Sequence, residues 1–135
     1  MLRAAKGKTE KMDVATMKPE RHAKVLLEAG AKTDIQDIDG RTALHYAALN
    51  GWLSVCTVLV EAGAKTNIQD IYFKSALHVA ASRGYSEICG MLVKAGADFN
   101  LLDGEGCTPL QLAEQGSHFE TVAFFRRSLH RKSLE

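Results

Sequence analysis

Ala43-Leu44-His45-Tyr46-Ala47-Ala48 returns 33 residues later as Ala76-Leu77-His78-Val79-Ala80-Ala81, and after the same interval in the weakened form Pro109-Leu110-Gln111-Leu112-Ala113. A second block keeps the period: Glu28-Ala29-Gly30-Ala31, Glu61-Ala62-Gly63-Ala64 and Lys94-Ala95-Gly96-Ala97. Laid over each other, residues 37–69 and 70–102 agree at about 15 of 33 positions, far above chance for so short a window. Such a period identifies an array in which each unit is one supersecondary element that buries its apolar face on its neighbours.

Within a unit the pattern reads as a turn and two short helices. Asp37-Ile38-Asp39-Gly40 is turn chemistry, with glycine free to take positive φ. Thr42 and Ser75 stand where an N-cap hydroxyl belongs, and a first helix then runs to Gly51 or Gly84 as its C′ residue. The second helix carries Val55, Cys56, Val58 and Leu59, matched by Ile88, Cys89, Met91 and Leu92, and closes at Gly63 or Gly96. The polar stretch Lys65-Thr66-Asn67-Ile68-Gln69 leads back to the next turn. A first helix of barely two turns is marginal alone in water, so its stability must come from stacking.

Asp-x-x-Gly-x-Thr-Ala-Leu-His-x-Ala-Ala, then Gly, then Leu-Val-Glu-Ala-Gly-Ala, resembles the ankyrin repeat, over at least Glu20 to about Leu129. The resemblance implies an all-α solenoid: helix pairs stacked side by side, β-turn fingers projecting from them, and a concave surface between. It divides the chain, as a single domain, into a degenerate N-terminal unit (1–36), two full units (37–69 and 70–102) and a C-terminal capping unit (103–135). Ala47, Ala80 and Ala113 are expected to form one column between first helices, and Leu26, Leu59, Leu92 and Phe125 another between second helices.

Three departures stand out. Phe73 replaces the turn glycine, giving Ile71-Tyr72-Phe73-Lys74 at a finger tip. Gly116 stands one residue before the loop position where the other units have their glycine, which is Ser117 here. Residues 1–18 fit no full repeat: the register predicts a first helix around 11–17, whereas Leu2-Arg3-Ala4-Ala5-Lys6-Gly7 looks like a displaced capping helix. Pro19 suits the N1 position of a helix over 20–29. Lacking the helix pattern, 1–18 are the end from which the array is expected to open. The basic close from Arg126 to Lys132 fits a solubilising cap.

Composition excludes several function classes. The 135 residues hold 17 basic and 16 acidic side chains, a formal charge of +1, which lacks the basic excess of a general nucleic-acid binder. No apolar run approaches the roughly 20 residues of a membrane span, and the polar, basic start has no apolar signal core. Three cysteines make no disulfide framework and point to a reducing compartment, cytoplasm or nucleus.

Little in the sequence points to catalysis. His45 and His78 occupy one repeat position with no cysteine or carboxylate at zinc spacing, and the resemblance implies a structural histidine bonded to the neighbouring turn. Cys56 and Cys89 are repeat equivalents, too far apart on stacked helices for a disulfide. Cys107, at the turn position of Arg41 and Lys74, is expected to be accessible. Gly104-x-Gly106 falls on the repeat's own turn, without the strand or third glycine of a phosphate loop. No catalytic, cofactor or metal residue is assigned, and the chain is not read as an enzyme.

The expected function, implied by the resemblance, is that of a protein–protein interaction module, monomeric, without membrane or small-molecule ligand. Its contacts are expected from the turn tips and the outward side of the first helices: Ile38, Asp39, Arg41, Leu49 and Asn50; Ile71, Tyr72, Phe73, Lys74, Ser82 and Arg83; Glu105, Cys107 and Gln115. Tyr72, Arg41 and Arg83 lead, since Tyr and Arg are enriched among interface hot spots. The alternative is binding of nucleic acid or an anionic surface through the basic ends, Arg3, Lys6, Lys8 and Lys11 at one and Arg126, Arg127, Arg131 and Lys132 at the other. Against it stand Asp34, Asp37, Asp39, Asp70, Asp98, Asp103 and Glu105 in the finger region, which would repel phosphates. A targeting domain within a larger enzyme or regulator is a further alternative. Some ankyrin repeats are substrates of an asparaginyl hydroxylase, and Leu92, Asp98, Phe99 and Asn100 resemble its target; Asn67 has Lys65 where the acid belongs and matches less well.

Overall fold

Thr42, Ser75 and Thr108 each begin a helix in the same way. Each sits in extended backbone and its hydroxyl accepts the amide of the residue three positions on, His45, His78 or Gln111. That residue's side chain accepts the cap's own amide in return, so two of the four orphan donors at the helix start are satisfied reciprocally. A computed structural model of the chain describes Lys24 and residues 27–134, and places six helices there. They are α1 (Ala43–Leu49), α2 (Leu53–Glu61), α3 (Ala76–Arg83), α4 (Ser86–Lys94), α5 (Pro109–Gln115) and α6 (Phe119–Leu134). Lys24, Leu27 and Glu28 are also helical, and no strand occurs among the described residues. Leu26, the registers considered for 1–18 and the N-terminal basic cluster lie outside the described residues.

The helices form two rows. α3 packs between α1 and α5, and α4 between α2 and α6, while each pair α1–α2, α3–α4 and α5–α6 packs internally. Contact is thus to nearest neighbours, as in a one-dimensional array. In the first row Ala47, Ala80 and Ala113 are fully buried, and their small side chains let the helix backbones approach. In the second row the same buried column is filled by Leu59, Leu92 and Phe125, with Cys56 and Cys89 beside them. Cutting a leucine back to alanine in such a column removes transfer energy and leaves a cavity, at about 2–5 kcal/mol. Within the second row, α4 and α6 are also tied by a hydroxyl pair, Ser86 Oγ to Thr121 Oγ1 at 2.7 Å.

Between the helices of a pair the chain reverses through one left-handed residue. At Gly84 (φ 75°) the absence of a side chain matters twice, because a Cβ there would lie 2.4 Å from the His118 ring. His118 closes over Gly84 and donates from Nε2 to the Ser82 carbonyl at 2.9 Å. In the last unit Gly116 is right-handed and Ser117 takes the left-handed position at φ 57°, so the displaced glycine does not carry the turn.

The repeated geometry of the fingers comes from aspartate. Asp37, Asp70 and Asp103 each accept two amides on Oδ1, from the residues two and four positions on, all at 2.9 Å. Asp70 and Asp103 are buried in doing so. The finger acids therefore form less of an outward negative front than the sequence implied, since these two carboxylates face their own turns. Successive fingers are joined edge to edge: Ile71 N donates to Asp39 O at 3.0 Å, and Gly104 N to Tyr72 O at 2.8 Å.

The histidines then lock units together. A backbone N–H can only donate, so Nδ1 of His45 accepts from Thr42 and Nε2 carries the proton, donating to the Lys74 carbonyl at 2.8 Å. His78 repeats this toward Cys107 O at 3.0 Å. Burial holds His78 below the ordinary imidazole value of 6.5, against opposing pulls from the Cys107 carbonyl and Asp103. A group held low in the fold contributes its full stability above about pH 6.5 and loses it as pH falls toward the folded value, because the unfolded chain then binds a proton the fold refuses. His78→Gln, the residue that position 111 already uses, should cost about 1 kcal/mol at neutral pH for one lost hydrogen bond. It should also flatten the fall in stability between about pH 7 and pH 5, measured by urea unfolding; an unchanged slope would show that His78 does not carry it.

Candidate protein-binding face

The finger tips present apolar side chains to solvent. Ile38 is 94% exposed, Ile71 53%, and Tyr72 and Phe73 58% each, in the two fingers that the Ile71–Asp39 bond holds adjacent. Large apolar groups gathered at one edge of a small protein mark an interaction surface more often than isolated ones do. The backbone carries a second sign. Phe73 has φ 62°, where the equivalent Gly40 and Gly106 have 74° and 77°. A bulky L-residue in the left-handed region costs roughly 1–2 kcal/mol, a strain that structures retain mostly at functional positions. Phe73 is held there by Asp70 O, which accepts its amide at 2.9 Å, and by Gln69 Nε2, which donates to its carbonyl at 2.7 Å.

Behind the tips, α1, α3 and the first two fingers enclose a cleft of about 180 Å³. It gathers Arg41, Leu49, Lys74, Ser82 and Arg83 from the expected set, with Tyr46 and Val79, which sequence reasoning left out. Those two occupy the variable position inside Leu-His-x-Ala-Ala, and that variability was the available signal. Tyr46 organises this corner. Its hydroxyl donates to the Asp37 carboxylate, holding that carboxyl below its usual range, with the Arg41 and Asp39 amides adding to the effect. The same bond raises the Tyr46 phenol. The Arg41 guanidinium lies 5.9 Å from the centre of the Tyr46 ring, and its Nε is 3.8 Å from the buried Asp70 carboxylate. Arg41 is thereby a structural link between fingers as well as a surface group.

Of the other expected contacts, Asn50, Glu105 and Gln115 are exposed and Asp39 is half-buried, but none of them lines this cleft. Cys107 is half-buried, with Gln115 Nε2 3.5 Å from its sulfur. Cys56 and Cys89 are fully buried, and burial pushes both thiols up to about 12, where they are inert apolar filling. Among the described residues, no cluster of histidine, cysteine and carboxylate could hold a metal ion. None of their helices is long and apolar enough to cross a membrane. At the C-terminal end Arg126 is paired with Glu114 at 3.0 Å, while Arg127 and Arg131 are exposed.

A family model described as ankyrin repeats, in three copies, matches residues 11–103. The chain belongs to the ankyrin-repeat family. The match takes in part of the N-terminal unit that the sequence pattern left degenerate, and it ends at Asp103. Beyond that point the capping box at Thr108 and the turn at Asp103 repeat the geometry of the preceding ankyrin units. No curated protein matches the chain.

The strain at Phe73 is open to a direct measurement. Phe73→Gly should raise stability by up to about 1 kcal/mol by relieving the left-handed backbone, whereas Phe73→Ala should not. A chemical-denaturation midpoint that falls for Phe73→Gly would show that the ring contributes more packing than its backbone costs.

Proposed function

We propose that this ankyrin-repeat chain is a non-enzymatic module that binds another protein through the face made by its finger tips and first helices. The observation that carries this reading is the exposed Ile38, Ile71, Tyr72 and Phe73 cluster, kept at the cost of a left-handed phenylalanine. It is supported by family membership, since ankyrin repeats generally mediate protein–protein contacts. In this reading the whole chain is one array, with units over 1–36, 37–69, 70–102 and 103–135. Binding through the basic ends is less well supported, because Arg126 is paired with Glu114 at 3.0 Å and the finger region still carries the exposed Asp37, Asp98 and Glu105. In affinity capture from lysate followed by titration of each recovered protein, Tyr72→Ala and Phe73→Gly should weaken binding severalfold. If both variants bind every recovered partner as wild type does, the tip is structural only.

A second reading concerns Asn100. Its counterpart Asn67 is engaged, accepting the Asp98 amide on Oδ1 at 2.8 Å, whereas the exposed Asn100 side chain has no hydrogen-bond partner among the described residues. Asn100 is therefore the asparagine we propose as a hydroxylase substrate. Peptide mass spectrometry after co-expression with such an enzyme should show one added oxygen at Asn100 and none at Asn67; an unmodified Asn100 peptide excludes the assignment.

A further inference from the structure

The repeat supplies its own control for the cleft between α1 and α3. Moving each residue on by 33 positions gives the next cleft along the array. Arg41, Tyr46 and Leu49 become Lys74, Val79 and Ser82, while Lys74, Val79 and Arg83 become Cys107, Leu112 and Gly116. Two of the three cations of the first cleft have no counterpart in the second. In a periodic array, a departure confined to one unit is where specificity resides, because the repeated residues serve the stacking.

The charge of the first cleft is only partly compensated among the described residues. Arg41 faces the buried Asp70, but Lys74 and Arg83 have no acidic partner among the described residues. The carboxylates nearby are occupied: Asp70 and Asp103 hold their own turns, and Asp37 is taken up by two amides and the Tyr46 hydroxyl. Leu49, Val79 and the Tyr46 ring give the same cleft an apolar wall. At about 180 Å³ it is smaller than the roughly 300–1,000 Å³ of a small-molecule pocket, and it suits a side chain presented by a larger partner.

We propose that this cleft binds an acidic, apolar-flanked segment of a partner protein, with an Asp or Glu carboxylate seated between Lys74 and Arg83 and a neighbouring large apolar side chain against Leu49 and Val79. The proposal rests on the protein-binding reading and adds the chemistry of the ligand. Lys74 directly follows Tyr72-Phe73, so a segment leaving the cleft along that finger meets the apolar tip. Two cations in one cleft match one or two carboxylates. They do not match a duplex, whose phosphates follow one another about every 1.7 Å and call for a long basic track.

The test is selection of a random peptide display library on the full chain, followed by titration of the labelled peptides. Selected peptides should carry Asp or Glu beside Leu, Phe or Trp. Lys74→Ala and Arg83→Ala should each weaken them roughly fivefold, the upper end for an exposed ion pair. The double variant Lys74→Glu/Arg83→Glu should select Lys- or Arg-bearing peptides instead. Neither side chain has a charged partner to lose among the described residues, so circular dichroism and melting should match wild type; if the double variant misfolds, the single variants decide. Peptides selected without acids, or acidic peptides indifferent to Lys74→Ala and Arg83→Ala, overturn the proposal. If such peptides still depend on Tyr72, the protein-binding reading stands while the acidic specificity falls. A library that yields no binder at all overturns both. Tighter binding of a labelled random DNA duplex than of any peptide overturns the choice of ligand class.

Discussion

The imidazole at positions 45 and 78 couples what would otherwise be separate small structures. One ring nitrogen finishes the cap of its own first helix, and the other reaches the finger carbonyl of the next unit, 29 residues on. A neutral imidazole is well suited to this, because it offers an acceptor and a donor on opposite sides of one rigid plane. Helices of seven or eight residues gain little from their own hydrogen bonds. Joining each helix start to the following finger makes helix formation and stacking a single event, and it fixes the spacing of the fingers. Where no further finger follows among the described residues, Gln111 keeps the capping half of the role.

That coupling leaves the outer edge of each finger free to vary. The aspartate at the base of the finger supplies the turn's hydrogen bonds from inside, so the tip needs no particular side chain to hold its shape. Ile38, Tyr72 and Phe73 can then stay exposed without loosening the turn. Phe73 shows how far this goes: the Asp70 network imposes a left-handed residue, and phenylalanine occupies it. The same economy shapes the cleft, where Leu49, Ser82 and Arg83 stand beside the framework residues His45 and Asp70.

Electrostatics on this face depends on which charges the framework has already taken. Counted along the chain, the fingers look acidic; counted by what faces outward, Asp70 and Asp103 drop out and Asp37 is largely occupied. Lys74 and Arg83 remain without acidic partners among the described residues, beside an apolar wall. The net charge of +1 conceals this local imbalance completely.

The sequence by itself determined the array: the period, the helix caps at Thr42 and Ser75, and the buried alanine and leucine columns. These follow from short-range rules of spacing and hydrogen bonding that act within one unit or between identical neighbours. Only the tertiary structure decided the surface. That Tyr46 ties down Asp37 and stacks with Arg41, that Arg41 reaches the next finger's Asp70, and that Ser117 instead of Gly116 turns left-handed all depend on which groups meet in space. A 33-residue period fixes where such positions lie along the stack, but their partners are set by packing in space, which no pattern within a single unit encodes.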